Sequence, residues 1–113
     1  EVDVELSQKC TELGLSKTVA KSLGMKEGIS VYVLSVRPFA GQLVCRAANK
    51  EGLEVGRSKL DVEFTADDAK YVTFEFDNEM DSQLVTKYSV DAREKAQDMA
   101  VEDSATTASD EGN

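Results

Sequence analysis

Three carboxylates at alternate positions, Asp77, Glu79 and Asp81, stand in the run Asp-Asn-Glu-Met-Asp-Ser and make the strongest case for metal chemistry in this sequence. Hard cations such as calcium take six to eight oxygen ligands, and alternate carboxylates in a loop can turn several oxygens toward one point. The first half of an EF-hand loop has this spacing. The second half does not follow, because Ser82 stands where that loop needs Gly and Tyr88 where it needs a bidentate Glu. Asp67 and Asp68 would add ligands if the fold brought the two loops to one end. Calcium is therefore the one cofactor the sequence raises, against the plainer reading of an acidic turn.

Other chemistry is narrowed by what the chain lacks. It has no His, which removes Ser–His and Cys–His nucleophile pairs and His-ligated metal sites. Its two cysteines, Cys10 and Cys45, lie too far apart in sequence for a zinc pair and form no CxxC motif. An even count suits one disulfide, whose loop closure is worth roughly 3–4 kcal/mol in the chain-entropy description. That bond would place the protein in an oxidising compartment, exported or in the cell envelope; two buried thiols would suit a cytoplasmic protein. No glycine-rich phosphate loop is present. The acids alternate along strand-like segments, as on a solvated surface, so the expectation is a protein that is not an enzyme.

Arg46, Arg57 and Lys59 form a candidate binding patch. If the segments around them pair as a hairpin, Arg46 and Arg57 fall on neighbouring strands, on one face or two depending on register. The alternative is internal pairing with Asp61, Glu63 or Glu75.

The elements that must position these groups read mostly as β. Hydrophobic residues make up 41% of the 113 and charged residues 31%, which suits one globular domain. Val2, Val4 and Leu6 alternate with polar residues, and Ile29 to Val36 is apolar on both faces, as in a covered central strand. Gln42–Ala48 and Leu53–Ser58 flank Asn-Lys-Glu-Gly, which is hairpin chemistry. Leu60, Val62 and Phe64 alternate, as do Val72, Phe74 and Phe76, and Leu84 to Val90 gives a seventh, weaker strand. Leu15, Val19 and Leu23 recur every four residues behind Ser16 and before Gly24, which predicts one short helix over Ser16 to Leu23. The expected fold is a seven-stranded β-sandwich, immunoglobulin-like or transthyretin-like, over residues 1–91. Residues 92–113 read as a marginal helix, with Ala92, Ala96, Met99 and Ala100 at helical spacing, followed by a disordered acidic tail.

The segment Leu-Gly-Met-Lys-Glu-Gly-Ile-Ser-Val-Tyr-Val at 23–33 resembles the helix-to-strand junction of AbrB/MazE-type swapped-hairpin DNA-binding domains. The resemblance covers about 20 residues and implies a DNA-binding regulator. It departs from the family at the leading basic strand, where this chain has Val-Asp-Val-Glu-Leu. Thirteen basic residues against 22 acidic ones give a net charge of −9, which repels phosphate, so nucleic acid is not the expected partner. No apolar run is long enough to span a membrane. The expected function is a non-catalytic binding or assembly domain with a protein partner met at the 77–83 loop or an uncovered edge. A cytoplasmic acidic inhibitor or antitoxin-like protein is the alternative.

Overall fold

A computed structural model describes residues 2–24, 26–77 and 79–95. Seven strands build the two-sheet sandwich the alternation predicts: β1 (Val4–Leu6), β2 (Leu15–Ser22), β3 (Gly28–Ser35), β4 (Phe39–Ala48), β5 (Glu54–Phe64), β6 (Asp68–Glu75) and β7 (Lys87–Glu94). One sheet runs β1-β7-β4-β5 and the other β2-β3-β6. The first strand lies beside the last and parallel to it; every other pairing is antiparallel. Between the sheets, Ile29, Val31, Val33, Leu43, Cys45, Ala47, Phe64, Val72, Phe74, Val90 and Ala92 meet in one apolar interior.

The single short helix of the described residues is α1 (Gln8–Glu12), not the predicted Ser16–Leu23. Ser7 caps it by accepting a hydrogen bond from the Cys10 N–H, and Cys10 is the one helix residue turned into the core. Residues 15–22 are β2 instead. Its pairing with β3 slips between Lys17 and Ala20, so Leu15 and Ala20 both face inward although an odd number of positions separates them. A bulge of this kind breaks period-two alternation and counterfeits helical spacing.

Three other boundaries move. The expected strands Leu53–Ser58 and Leu60–Phe64 merge into one, β5, which starts at Glu54 and leaves Leu53 exposed in the loop; its inward positions begin with Gly56 and Ser58 and so show no apolar alternation at first. Leu84 is 58% exposed in a 3-10 turn, Ser82–Leu84, and the last strand starts after it. Ala92 is a buried residue of β7 rather than the start of a helix. The remainder of that expected helix, and the expected tail, lie outside the described residues. Among the described residues no helix is long and apolar enough to cross a membrane.

Candidate interaction surface

Two of the three carboxylates singled out as metal ligands, Asp77 and Asp81, are occupied with local backbone. Asp77 Oδ1 accepts from the Glu79 N–H at 2.9 Å, and Asp81 Oδ1 caps the 3-10 turn by accepting from Gln83 N–H at 3.0 Å. Both are local turn bonds of the kind Asp makes readily. Asp68 does the same at the other end of β6, accepting from Thr65 N–H and Ala69 N–H. The eight residues of β6 hold these two acidic turns about 23 Å apart at the rise of a strand. Among the described residues no group of three or more His, Cys, Asp or Glu is placed to hold a metal. The calcium expectation therefore has no geometry behind it.

Cys10 and Cys45 are free thiols, both buried, rather than the expected disulfide. Cys10 sits on α1 and its thiol donates to Val90 O at 3.4 Å. Ser7 lies 3.6 Å from the same sulfur, but its single hydroxyl proton goes to Asp91 Oδ1 at 2.7 Å, since a carboxylate can only accept. Cys45 stands mid-strand in β4, opposite Ser58 and Val90. Burial pushes the Cys45 thiol up to about 12, and burial raises that of Cys10 as well. Neither sulfur is a nucleophile at neutral pH.

Arg46, Arg57 and Lys59 do share a face. Arg46 is directly opposite Arg57, and Lys59 is opposite Val44, all on the outer side of the four-stranded sheet. The two guanidiniums are bridged by Glu54, which takes a forked pair of bonds from Arg57 at 2.9 and 3.0 Å and lies 3.5 Å from Arg46. Internal pairing thus holds for the arginines, with Glu54 as the acid in place of Asp61, Glu63 or Glu75. The hydrogen bonds from Arg57 hold the Glu54 carboxyl below its ordinary range. Lys59, Asp61 and Glu63 have no ion-pair partner within 4 Å among the described residues. Val44 lies on this outer side yet is 1% exposed, flanked in register by Lys59 and Asp91. The alkyl stems of long side chains commonly shield an apolar residue in such a place.

The outer side of the three-stranded sheet is of another kind. Tyr32 pairs with Tyr71 in register, their rings 4.8 Å apart, with Leu34 and Ala69 one pair along and Ser30 and Thr73 on the other side. Tyr71 is 54% exposed.

Between these two sheets the sandwich has an open side. β5 and β6 are joined by a tight turn, Thr65 to Asp67, with Asp67 at φ 56°, yet each belongs to a different sheet and they do not pair. They diverge from the turn around a cleft of about 630 Å³ lined by Leu60, Val62, Lys70, Tyr71, Val72 and Thr73, with Asp61 and Glu63 among the residues at its edge. The phase of each ladder follows from single hydrogen bonds. Phe76 N–H donates to Glu27 O, one step beyond the Gly28–Glu75 pair. Antiparallel pairs alternate between bonded and non-bonded, so Lys70, Val72 and Phe74 turn their backbone groups toward β3. Those of Tyr71, Thr73 and Glu75 turn away from it, to the open side. Likewise Lys95 N–H donates to Ala40 O, which gives the even-numbered residues of β4 to β7 and the odd-numbered ones to β5. Arg57, Lys59, Asp61 and Glu63 are left with backbone groups facing outward. The Glu63 carbonyl confirms this phase, since it accepts from Lys70 Nζ across the gap. Sequence reasoning placed interaction at an uncovered edge without saying which; a continuous strand alternating small and apolar residues inward at 56–64 was the available signal. No protein-family model, curated protein or solved structure matches this chain.

Proposed function

We propose that this chain is a non-catalytic binding and assembly domain that takes up an extended protein segment by strand addition at the side between β5 and β6. One observation carries the reading: two outward-facing backbone ladders border an apolar-floored cleft, with no strand between them among the described residues. Unpaired N–H and C=O groups along a strand edge template the addition of another strand, with main-chain bonds giving affinity and side-chain pockets giving specificity. The floor of Leu60 and Val62, both half-buried and packed against the core, offers the guest an apolar footing. Neither cysteine lines the cleft, and Lys70, its one basic residue, is engaged with Asp68, Glu63 and the Phe64 ring.

Edge prolines test the proposal. Proline removes one N–H, and at Lys59 or Thr73 that N–H faces the open side, so the sandwich keeps its own ladders. The full chain, tagged, is used to capture partners from its host, beside Lys59→Pro, Thr73→Pro and a control in the acidic turn, Glu79→Gln. The proposal expects specific capture to survive Glu79→Gln and to fall at least tenfold in one or both proline variants. Capture indifferent to both prolines would remove strand addition as the mode of binding.

A further inference from the structure

β5 is the longest strand among the described residues and stands at a sheet edge. Proteins usually blunt such an edge by shortening it, bulging it or placing proline in it. The other edges follow that rule in two cases: β1 has three residues, and β2 is bulged. β5 between Gly56 and Phe64 has neither device, and its pairing with β4 is regular there.

Its outward-facing residues carry a pattern instead. From one end they read Arg57, Lys59, Asp61, Glu63, two positive and then two negative. Turned end for end, the same row reads negative, negative, positive, positive. Two copies of β5 laid antiparallel with Leu60 opposite Leu60 therefore bring Arg57 against Glu63 and Lys59 against Asp61, twice each. These four residues are also the ones whose backbone groups face the open edge, so the register that matches charge also matches hydrogen bonds, about eight across the pair. On the inner side Leu60 meets its own copy and Val62 meets Ser58, covering the floor of the cleft. The free charges are the right ones: among the described residues Lys59, Asp61 and Glu63 have no internal ion pair. β6 has no such symmetry in Ala69, Tyr71, Thr73 and Glu75.

We infer that β5 pairs with β5 of a second copy of this chain, forming a closed two-fold dimer centred on Leu60 with a continuous eight-stranded sheet. This rests on the strand-addition reading and names one occupant of that side. An isologous contact uses each β5 once and so closes, leaving the β6 edge for a different partner.

The test uses charge swaps read by sedimentation of the full chain. Lys59→Asp sets Asp against Asp61 in both symmetric pairs, and Asp61→Lys sets Lys against Lys59. Each alone is expected to raise the dimer dissociation constant by roughly ten- to thirtyfold, while an equimolar mixture restores wild-type affinity, because the mixed pair is complementary. Leu60→Cys gives a second readout independent of charge. Residues in a non-bonded antiparallel pair stand close enough for a disulfide, so mild oxidation should link two chains through this position. A wild-type chain that stays monomeric at high micromolar concentration overturns the inference and leaves strand addition by another partner to the proline variants. A dimer that ignores both swaps and fails to cross-link at residue 60 overturns it too. Such a dimer, if also unaffected by Lys59→Pro, counts against the open side itself.

Discussion

At the scale of single residues, the interior is decided by what burial does to polar atoms. Cys45 is fully buried, and its thiol is held protonated by burial alone. It behaves as a small apolar residue, a common role for free cysteine. Replacing it by Ala removes about one methylene-sized group and should cost about 1 kcal/mol. Replacing it by Ser loses a similar volume and also buries a hydroxyl beside apolar neighbours, which should cost about 2–3 kcal/mol. Denaturant midpoints of the two variants test the ordering, and Cys45→Ser more stable than Cys45→Ala would contradict this account of the site. The same burial predicts slow reaction of both native thiols with a soluble reagent, at the rate of local opening. Two thiols become titratable at once on denaturation.

At the scale of elements, β5 is fixed at its first half by the loop that leaves β6. Gly56 faces inward against Met80 and Phe76, and a Cβ there would overlap the Met80 sulfur. Gly56→Ala should therefore destabilise by about 1–3 kcal/mol although Ala is the better strand former. Met80→Ala in the same chain makes room, so the double variant should be more stable than the two single effects added together; simple additivity would show that the overlap is not the cause. This contact also marks where the sequence was readable. Strands with large alternating side chains, such as Val72, Phe74 and Phe76, declare their period directly. β5 hides its first half because Gly56 and Ser58 are the residues that point inward, and small size there answers a neighbour 24 positions away. β2 misled for a local reason, its bulge, and α1 is too short for any period to show. The charged row on β5 was visible as individual residues, but its meaning depends on which backbone groups face out, and no sequence pattern carries that.

For the whole molecule, four carboxylates tie the strands together and set the response to acid. Glu5 is bonded by Lys87 across β1 and β7, and Glu54 by Arg57 beside β4. Asp68 holds the Thr65 to Asp67 turn, and Asp91 accepts from the Ser7 hydroxyl that also caps α1. In each case these donors hold the folded carboxyl below its ordinary value, 4.5 for Glu and 3.8 for Asp. A lowered folded value means that the unfolded chain takes up protons first as pH falls. The stability these bonds contribute is then complete above the ordinary range and is lost as pH drops through the lowered folded values. A net charge of −9 works the other way between neutral pH and the isoelectric region near 4.4, since losing negative charge relieves repulsion. Moderate salt screens that broad repulsion more than it weakens a hydrogen-bonded pair at contact distance. Urea midpoints measured in such salt should accordingly stay level from pH 7 to about 5 and then fall steeply below about 4. Ser7→Ala should lower the neutral-pH plateau by about 1 kcal/mol through the lost cap, and should also make the acid limb shallower, because Asp91 no longer has a hydroxyl to lose. A parallel downward shift, with the acid limb unchanged in slope, would mean that the Ser7–Asp91 bond plays no part in acid sensitivity and that the other three carboxylates carry it.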